Sequence, residues 1–284
     1  MLNRCNSDTD SKVWMEEDTQ GSLCDYFHAL GAFPGRFFTY EVVKKMKLWE
    51  QITSNLAFVG VSILIIVALA LLARLAEHFL PGKRKISPAR RVSIIGICAA
   101  IAAVLHMLDF PLPFLAPGFY KLDFSELPVM LCGFYVGPSA AVACEAVKII
   151  LKLLFKSTST AFVGDLANFV VGCSLVLPAT IFYRANKSKH GALIGLVIGT
   201  ACMTVFGSAF NAVYLLPKFA ELYGMPLDTI IAMGTDINGS IHNVTTFVLW
   251  AVAPLNLLKG AVISVLTMLL YKRVARPLFA AGEK

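Results

Sequence analysis

The chain has 284 residues, of which 57% are hydrophobic and 15% are charged, whereas soluble domains carry about 25% charged residues. The charges are grouped between long uncharged runs, so the composition excludes an ordinary soluble domain and indicates a membrane protein. The formal net charge of +7 does not indicate nucleic-acid binding, because the basic residues form short clusters at the ends of apolar runs and no basic soluble domain accompanies them.

The first 45 residues differ in composition from everything that follows them. They mix polar and aromatic residues and include the acids Asp8, Asp10, Glu16, Glu17, Asp18 and Asp25. We interpret residues 1–45 either as a tail or as a segment that is not part of the mature protein, because Met46 begins a short leader directly before the first apolar run. An intact mass that includes Met1 would contradict a start at Met46.

Uncharged runs mark the predicted membrane spans, and together they predict an all-α membrane protein. Residues 46–81 are predicted to hold one extra transmembrane helix, with its apolar run at 56–73. A six-helix core is predicted over residues 90–276, followed by a cytoplasmic tail at 277–284. The predicted core helices are 92–108, 127 to the Gly137-Pro138 turn, from that turn to about 155, 166–183, 191–217 and 243–271.

The distribution of basic residues predicts the orientation. Clusters at 83–91, 184–189 and 272–276 fall on one side and hold 11 Lys and Arg, against four in the opposite loops of the core. By the positive-inside rule, both ends of the core, including the C-terminus, are expected in the cytoplasm. The outer connections 109–124 and 218–242 are long, which is typical of functional loops.

Signatures of catalysis and of metal binding are absent from the sequence. It contains no Walker A motif, no HExxH and no GxSxG elbow. The five histidines have no ligand spacing, and the seven cysteines form no CxxC pair, so we expect the cysteines to be small core residues. We therefore predict no catalytic residue, no cofactor and no metal ion. An intramembrane enzyme and a helical scaffold stay as alternatives from other functional classes.

Polar side chains inside the predicted spans are the strongest functional signal, because each destabilises a span unless it is paired or faces a cavity. Asn256 and Lys259 share one face of the last span, and Pro254 frees a backbone carbonyl one turn earlier. Such a helix suits the wall of a solute pocket. Alternatively, Lys259 reaches a membrane surface and Asn256 joins two helices. Asn211, in the sixth span, could likewise bond a ligand or a neighbouring helix.

Two further groups of polar residues are candidates. Asp165 and Asn168, three residues apart at the outer end of the fifth span, are candidate ligand contacts, although Asp165 could instead cap the helix. Glu145, Lys148 and Lys152 share a face of the fourth span, where we expect a ladder of ion pairs.

Small residues form a stripe on the second span. They are Gly96, Ala99, Ala100 and Ala103, spaced so that another helix can approach closely. The stripe indicates either packing within this protein or a docking surface for a partner subunit.

Five stretches, taken together, resemble the riboflavin-specific S component of ECF-type vitamin transporters. They are YKLDFSELPVMLCGFYVGP (120–138), EAVKIILKLLF (145–155), GDLANFVVGCSLVLPA (164–179), FNAVYLLP (210–217) and APLNLLKG (253–260). The resemblance runs from about residue 90 to 276. It implies a six-helix membrane protein that captures riboflavin from outside and associates with a transmembrane coupling subunit and two cytoplasmic ATPases.

The resemblance also implies which residues act. Asn211, Asn256 and Lys259 match polar ligand contacts of the family, and the loop positions nearest the match are Leu115 and Ala116. The alanine-rich first core helix is the family's docking surface, and it maps to Ala99 and Ala103. The outer loop at 233–243 departs from the family pattern, so a different flavin or another heterocyclic vitamin stays open as the ligand.

Overall fold

The computed structural model describes residues 56–80, 86–156, 162–223 and 226–280. The tail of residues 1–45 and the proposed start at Met46 lie outside these ranges. The helices are α1 Leu56–Phe79, α2 Pro88–Met107, α3 Glu126–Tyr135, α4 Pro138–Phe155, α5 Val163–Ala185, α6 Lys189–Phe210, α7 Leu216–Tyr223, α8 Leu227–Thr235, α9 Val244–Phe247 and α10 Ala253–Ala280. The predicted all-α class is confirmed.

Two π-helical turns join pairs of these helices into longer rods. Asn211–Leu215 connects α6 to α7, and Val248–Val252 connects α9 to α10. Each π turn is followed, after one further residue, by a proline, Pro217 or Pro254. A proline has no N–H to donate to the carbonyl four residues earlier. In both rods that carbonyl lies inside the π turn, so the position of the turn follows from the position of the proline.

A two-stranded antiparallel ribbon, which the sequence did not predict, shapes the loop between α2 and α3. Strand β1 (Phe110–Pro111) pairs with β2 (Lys121–Leu122). Asp109 accepts hydrogen bonds of 3.1 Å from Lys121 and from Lys156, which tie the ribbon to the end of α4. Burial acts to raise the pKa of Asp109, but the two lysines outweigh it and the pKa lies below its ordinary value.

Within the described residues, five helical segments are long and apolar enough to cross a membrane. They are Phe58–Phe79, Pro88–Met107, Val163–Ala185, Lys189–Glu221 and Val244–Tyr271. Helix α3 has 10 residues, a length of about 15 Å at 1.5 Å per residue, which is half of an apolar bilayer core. Helix α4 contains Glu145, Lys148 and Lys152. The seven-span count therefore stays a prediction.

The short helix α3 lies inside the bundle, where it contacts α2, α4, α5 and α10. Helix α5 packs between α4 and α6, and α6 in turn packs on α10. The predicted tight turn between α3 and α4 is present, and Gly137 has a φ of 137°, a conformation that favours glycine. Cys132, Cys144 and Cys173 are buried and unpaired, as predicted.

Helix α1, the predicted extra helix, packs against the core along one face. Ala73 is fully buried, and the Phe58 ring stacks on that of Tyr214, with centroids 6.5 Å apart. Other faces of α1 expose large apolar side chains such as Leu64, Leu71 and Leu75. This pattern is expected of a helix that faces lipid on one side and protein on the other.

Candidate functional site

One pocket lies at the end of the bundle where α5 begins and α6 ends. It contains about 730 Å³ of space outside the protein atoms, a figure that includes open solvent at its mouth. Asn211, Asn256 and Lys259, the three residues predicted from polar positions within spans, all line this pocket. The structure thus brings together residues that lie up to 48 positions apart in the chain.

Asn211 is the first residue of the π turn that follows α6, and both ends of its amide have partners. Its Oδ1 accepts a hydrogen bond of 2.8 Å from the Tyr120 hydroxyl, and its Nδ2 donates to the Gly207 carbonyl at 3.0 Å. Burial raises the pKa of Tyr120, so its hydroxyl remains a donor. An amide nitrogen has two N–H groups and an amide oxygen two lone pairs, so Asn211 keeps one donor and one acceptor site beyond these bonds.

Asn256, one turn into α10, is the polar group of the pocket that is ready for a ligand. Its side chain is 7% exposed, and its Nδ2 has no hydrogen-bond partner among the residues that the structure describes. A Cβ at Gly207 would lie 3.1 Å from that nitrogen, so a larger residue there would displace the amide by a few tenths of an ångström. A buried donor without a partner destabilises the ligand-free protein by about 1–3 kcal/mol, which a ligand acceptor would recover.

Lys259 lies one turn beyond Asn256 on the same face and is held by two carboxylates. Its Nζ is 3.1 Å from Asp123 Oδ2 and 3.0 Å from Glu126 Oε1. The lysine therefore does not reach out to a membrane surface, the alternative that its sequence position allowed. An ammonium group has three donors. Two of them meet these carboxylates, which leaves one for the pocket.

Lys259 belongs to a larger set of ionisable side chains beneath the pocket, here called the buried charge group. Its members are Asp123, Glu126, Glu145, Lys148 and Lys259, with His106 beside Asp123 at 3.2 Å. Lys148 lies 2.5 Å from Glu145, 3.4 Å from Glu126 and 3.0 Å from Ser125 Oγ. Charges this deeply buried are tolerated in proteins when each has an opposite partner.

The predicted ladder on α4 is present only in part. Lys148 pairs with Glu145, as expected, but Lys152 pairs instead with Asp165 of α5, at 2.5 Å. Asp165 is therefore used in joining two helices and does not line the pocket. It does not cap α5 either, since the N-cap residue is Phe162. Asn168 does line the pocket, and its Nδ2 donates to the Gly164 carbonyl at 2.9 Å.

Leu115 and Ala116 lie in the loop between β1 and β2, away from the pocket lining. Their backbone N–H groups donate to the Leu112 carbonyl at 2.9 and 3.1 Å, which forms a turn. Ala116 is fully buried and Leu115 packs against the core. The same loop contributes Phe119 and Tyr120 to the pocket instead.

The small-residue stripe on α2 has two sides with different surroundings. Ala99 and Ala103 are buried and face the interior of this protein, where α2 contacts α3 and α4. Gly96 and Ala100 are exposed. The side chains of Ala99 and Ala103 are covered by their own chain, and their assignment to a docking surface stays a prediction.

Sequence reasoning missed the residues that complete the site from the start of α3 and the loop before it. Tyr120 bonds Asn211, and Asp123 and Glu126 hold Lys259. A signal was present, because two carboxylates directly before an apolar helix require cations nearby if that helix enters the membrane. Their partner could not be identified, since Asp123 and Lys259 are 136 positions apart.

Comparison with known proteins finds a matching family model and similar transporters. The family model described as the substrate-specific component of the ECF transporter matches residues 90–271. The riboflavin transporter RibU of Staphylococcus aureus is 37% identical over 196 residues, which cover 68% of this chain and 96% of that protein. The riboflavin transporter FmnP of Bacillus subtilis is 31% identical over 183 residues, which cover 64% of this chain and 90% of that protein.

A solved structure of the S component of a bacterial ECF transporter has the same fold. Its TM-score is 0.54 at 36% identity, and the match covers 68% of this chain and 99% of that one. The fold of that whole chain therefore corresponds to about two thirds of this protein.

Proposed function

Since the chain belongs to the family of ECF transporter substrate-specific components, we propose that it binds riboflavin in the pocket formed by α5, the π turn after α6, α7, α10 and the loop that holds Phe119 and Tyr120. The vitamin would then be delivered inward when the chain is coupled to an ATPase module. The family and the two riboflavin transporters that resemble this chain support the choice of ligand. The observation that carries the proposal is the buried Asn256 amide, which faces the pocket without a partner.

The donors in the pocket suit the polar edge of an isoalloxazine ring. That edge alternates carbonyl, N–H and carbonyl, so an amide can bond it through a donor and an acceptor side by side. Asn256 supplies a free donor, and the third N–H of Lys259 supplies another, for a ring carbonyl or a ribityl hydroxyl. Neither residue has to give up an existing bond to the protein.

The rest of the pocket suits a flat apolar ring. Phe119 and Phe219 stack with centroids 4.9 Å apart, and both line the pocket. Aromatic and aliphatic walls of this kind bury a ring system by the hydrophobic effect and orient it by stacking. Binding and release require no covalent chemistry, in keeping with a substrate-binding component that is not an enzyme.

The proposal includes an orientation and partners. The bias of basic residues supports cytoplasmic ends for the core, which directs the pocket outward. A transmembrane coupling subunit and two cytoplasmic ATPases would supply the energy. We propose that α2 meets the coupling subunit on the face of Gly96 and Ala100, where the absence of large side chains at these two exposed positions allows close approach of a second helix.

Purification followed by an absorbance scan tests the ligand. Protein carrying riboflavin would be yellow, and the flavin fluorescence would be quenched. If the protein is colourless and gives no heat with riboflavin in calorimetry, the ligand assignment is wrong. Titration with other flavins and heterocyclic vitamins separates the alternatives, because an S component for another vitamin would bind that compound and ignore riboflavin.

A further inference from the structure

A second cavity lies at the opposite end of the bundle from the proposed riboflavin pocket. It is formed by the last turns of α1 and the first turns of α2 and α4, and it contains about 950 Å³ of empty space, part of it open to solvent. Helices α4 and α5 run antiparallel, with the far end of α4 joined to the start of α5 by Lys152 and Asp165. The two cavities are therefore separated by the length of α4.

The polar lining of this cavity carries excess positive charge. Arg74, His78 and Glu77 come from α1, Arg91 from α2 and Ser139 from α4. Two arginines face a single carboxylate, so one positive charge remains even when the histidine is neutral. The cavity is also bounded by the apolar Ile95 and Ala143.

Glu77 does not neutralise both arginines. It accepts a hydrogen bond from Ser139, and Arg91 lies 3.7 Å from it while donating to Ser139 Oγ at 2.6 Å. Arg74, by contrast, makes no hydrogen bond or ion pair within the described parts of the chain. The three helices thus meet around a short polar chain with one guanidinium left over.

The surroundings of Arg74 restrict what can bind there. Val67 and Leu71, seven and three positions before it on the same helix face, are exposed apolar residues. A ligand at this place therefore meets guanidinium groups at the end of the bundle and an apolar surface that continues toward the middle of the membrane. Basic pockets between transmembrane helices at the membrane surface recognise anionic lipid headgroups.

We propose that this cavity binds the phosphate diester headgroup of an anionic phospholipid. Arg74 and the free N–H groups of Arg91 hold the phosphate oxygens, since guanidinium groups pair with phosphate through two parallel hydrogen bonds. The acyl chains lie along Leu71 and Val67. The bound lipid joins α1 to α2 at the end where Glu77 of α1 already contacts Ser139 and Arg91.

Native mass spectrometry of the full chain, released from detergent after incubation with defined lipids, tests this site. We expect phosphatidylglycerol to be retained in preference to the zwitterionic phosphatidylcholine. Arg74→Gln should reduce the retained phosphatidylglycerol about tenfold, the factor expected for loss of one charge-assisted contact. Equal retention of the two lipids would overturn the proposal.

Arg90→Gln is the matched control, because Arg90 lies next to Arg91 but points over the Tyr135 ring, 5.9 Å from its centroid, and does not line the cavity. This variant should retain phosphatidylglycerol as the unmodified protein does, and equal losses in the Arg74 and Arg90 variants would refute a defined site. Inorganic phosphate is the second arm. If it binds without lipid and with the same dependence on Arg74, the cavity takes soluble anions and the lipid assignment is wrong.

Discussion

Asn256 and Lys259 share a helix face but differ in whether their side-chain nitrogens have partners in the ligand-free protein. The Asn256 amide nitrogen has no partner in the described structure, whereas the Lys259 ammonium is held by Asp123 and Glu126. A substitution at Asn256 therefore removes a donor that makes no hydrogen bond within the described structure. A substitution at Lys259 leaves two buried carboxylates without their cation. Substitution of Asn256 should therefore weaken ligand binding without lowering stability, whereas substitution of Lys259 should lower both.

Asn256→Ala should weaken riboflavin binding by about 1–3 kcal/mol, because a buried hydrogen bond to the ligand is lost. Its thermal unfolding in detergent should be unchanged or slightly raised, since an unpaired buried donor is removed as well. Lys259→Ala should weaken binding by a similar amount but lower the unfolding temperature. Calorimetry and thermal unfolding measure the two effects. Asn186→Ala, an exposed asparagine just after α5, is the control, and unchanged affinity in both site variants would remove them from the pocket.

Asp123→Asn tests the buried charge group directly. It keeps the shape of the side chain but removes the charge that faces Lys259 at 3.1 Å and His106 at 3.2 Å. Breaking one partner out of a buried ion pair destabilises proteins by about 3–5 kcal/mol, so a clear loss in the free energy of unfolding is expected. Asp109→Asn, which removes a more exposed carboxylate with two lysine partners, should cost about 1 kcal/mol or less. Equal losses in the free energy of unfolding for the Asp123 and Asp109 variants would show that burial does not set the size of the effect.

At the scale of the helices, the sequence predicted the position of the distortion but not its form. Pro254 indicated a broken hydrogen bond in the last span, and the structure contains a π turn, Val248–Val252, that ends two residues before it. The same arrangement precedes Pro217, where the π turn begins with Asn211. A proline shows which N–H is missing, but neighbouring helices decide whether the chain kinks or widens. Sequence alone therefore left open whether the Asn211 side chain faces the pocket or a neighbouring helix.

Pro254→Ala should allow α9 and α10 to join in regular α-helical hydrogen bonding. An alanine at a helix interior is favoured over proline by about 3 kcal/mol, so the protein should not lose stability. Riboflavin affinity should fall, because removing the wide turn rotates Asn256 and Lys259 relative to α9. Pro178→Ala is the control, since Pro178 also lies inside a helix but does not line the pocket. A Pro254 variant with full affinity would show that the π turn has no part in binding.

For the molecule as a whole, hydropathy was sufficient to predict α1, α2, α5, α6 and the last rod, because long uncharged runs determine membrane helices. The β ribbon was missed, since strands of two residues give no periodic pattern. The inward position of Ala99 was missed as well. Small residues allow close packing on any side of a helix, and only the finished bundle determines which side its own chain covers.

Deletion of residues 1–85 should leave riboflavin binding intact. All residues that line the proposed pocket lie between Phe119 and Lys259, and the S-component structure with the same fold corresponds to about two thirds of this chain. We expect lower thermal stability, because Ala73 and Phe58 are buried against the core and their removal exposes apolar surface. Quenching of flavin fluorescence measures the affinity. Loss of binding by a truncated protein that still elutes as a single folded species would show that α1 shapes the pocket.

The orientation of the whole molecule is open to a labelling experiment. The 11-to-4 bias of basic residues predicts that the loop before α6 faces the cytoplasm and the loop after α8 faces outside. With Cys5 and Cys24 replaced by serine, a membrane-impermeant maleimide should label Asp236→Cys in intact cells. It should label Ser188→Cys only after the cells are opened, because the reagent cannot cross the bilayer. The reverse pattern would turn the pocket toward the cytoplasm, and uptake from outside would then be impossible by this route.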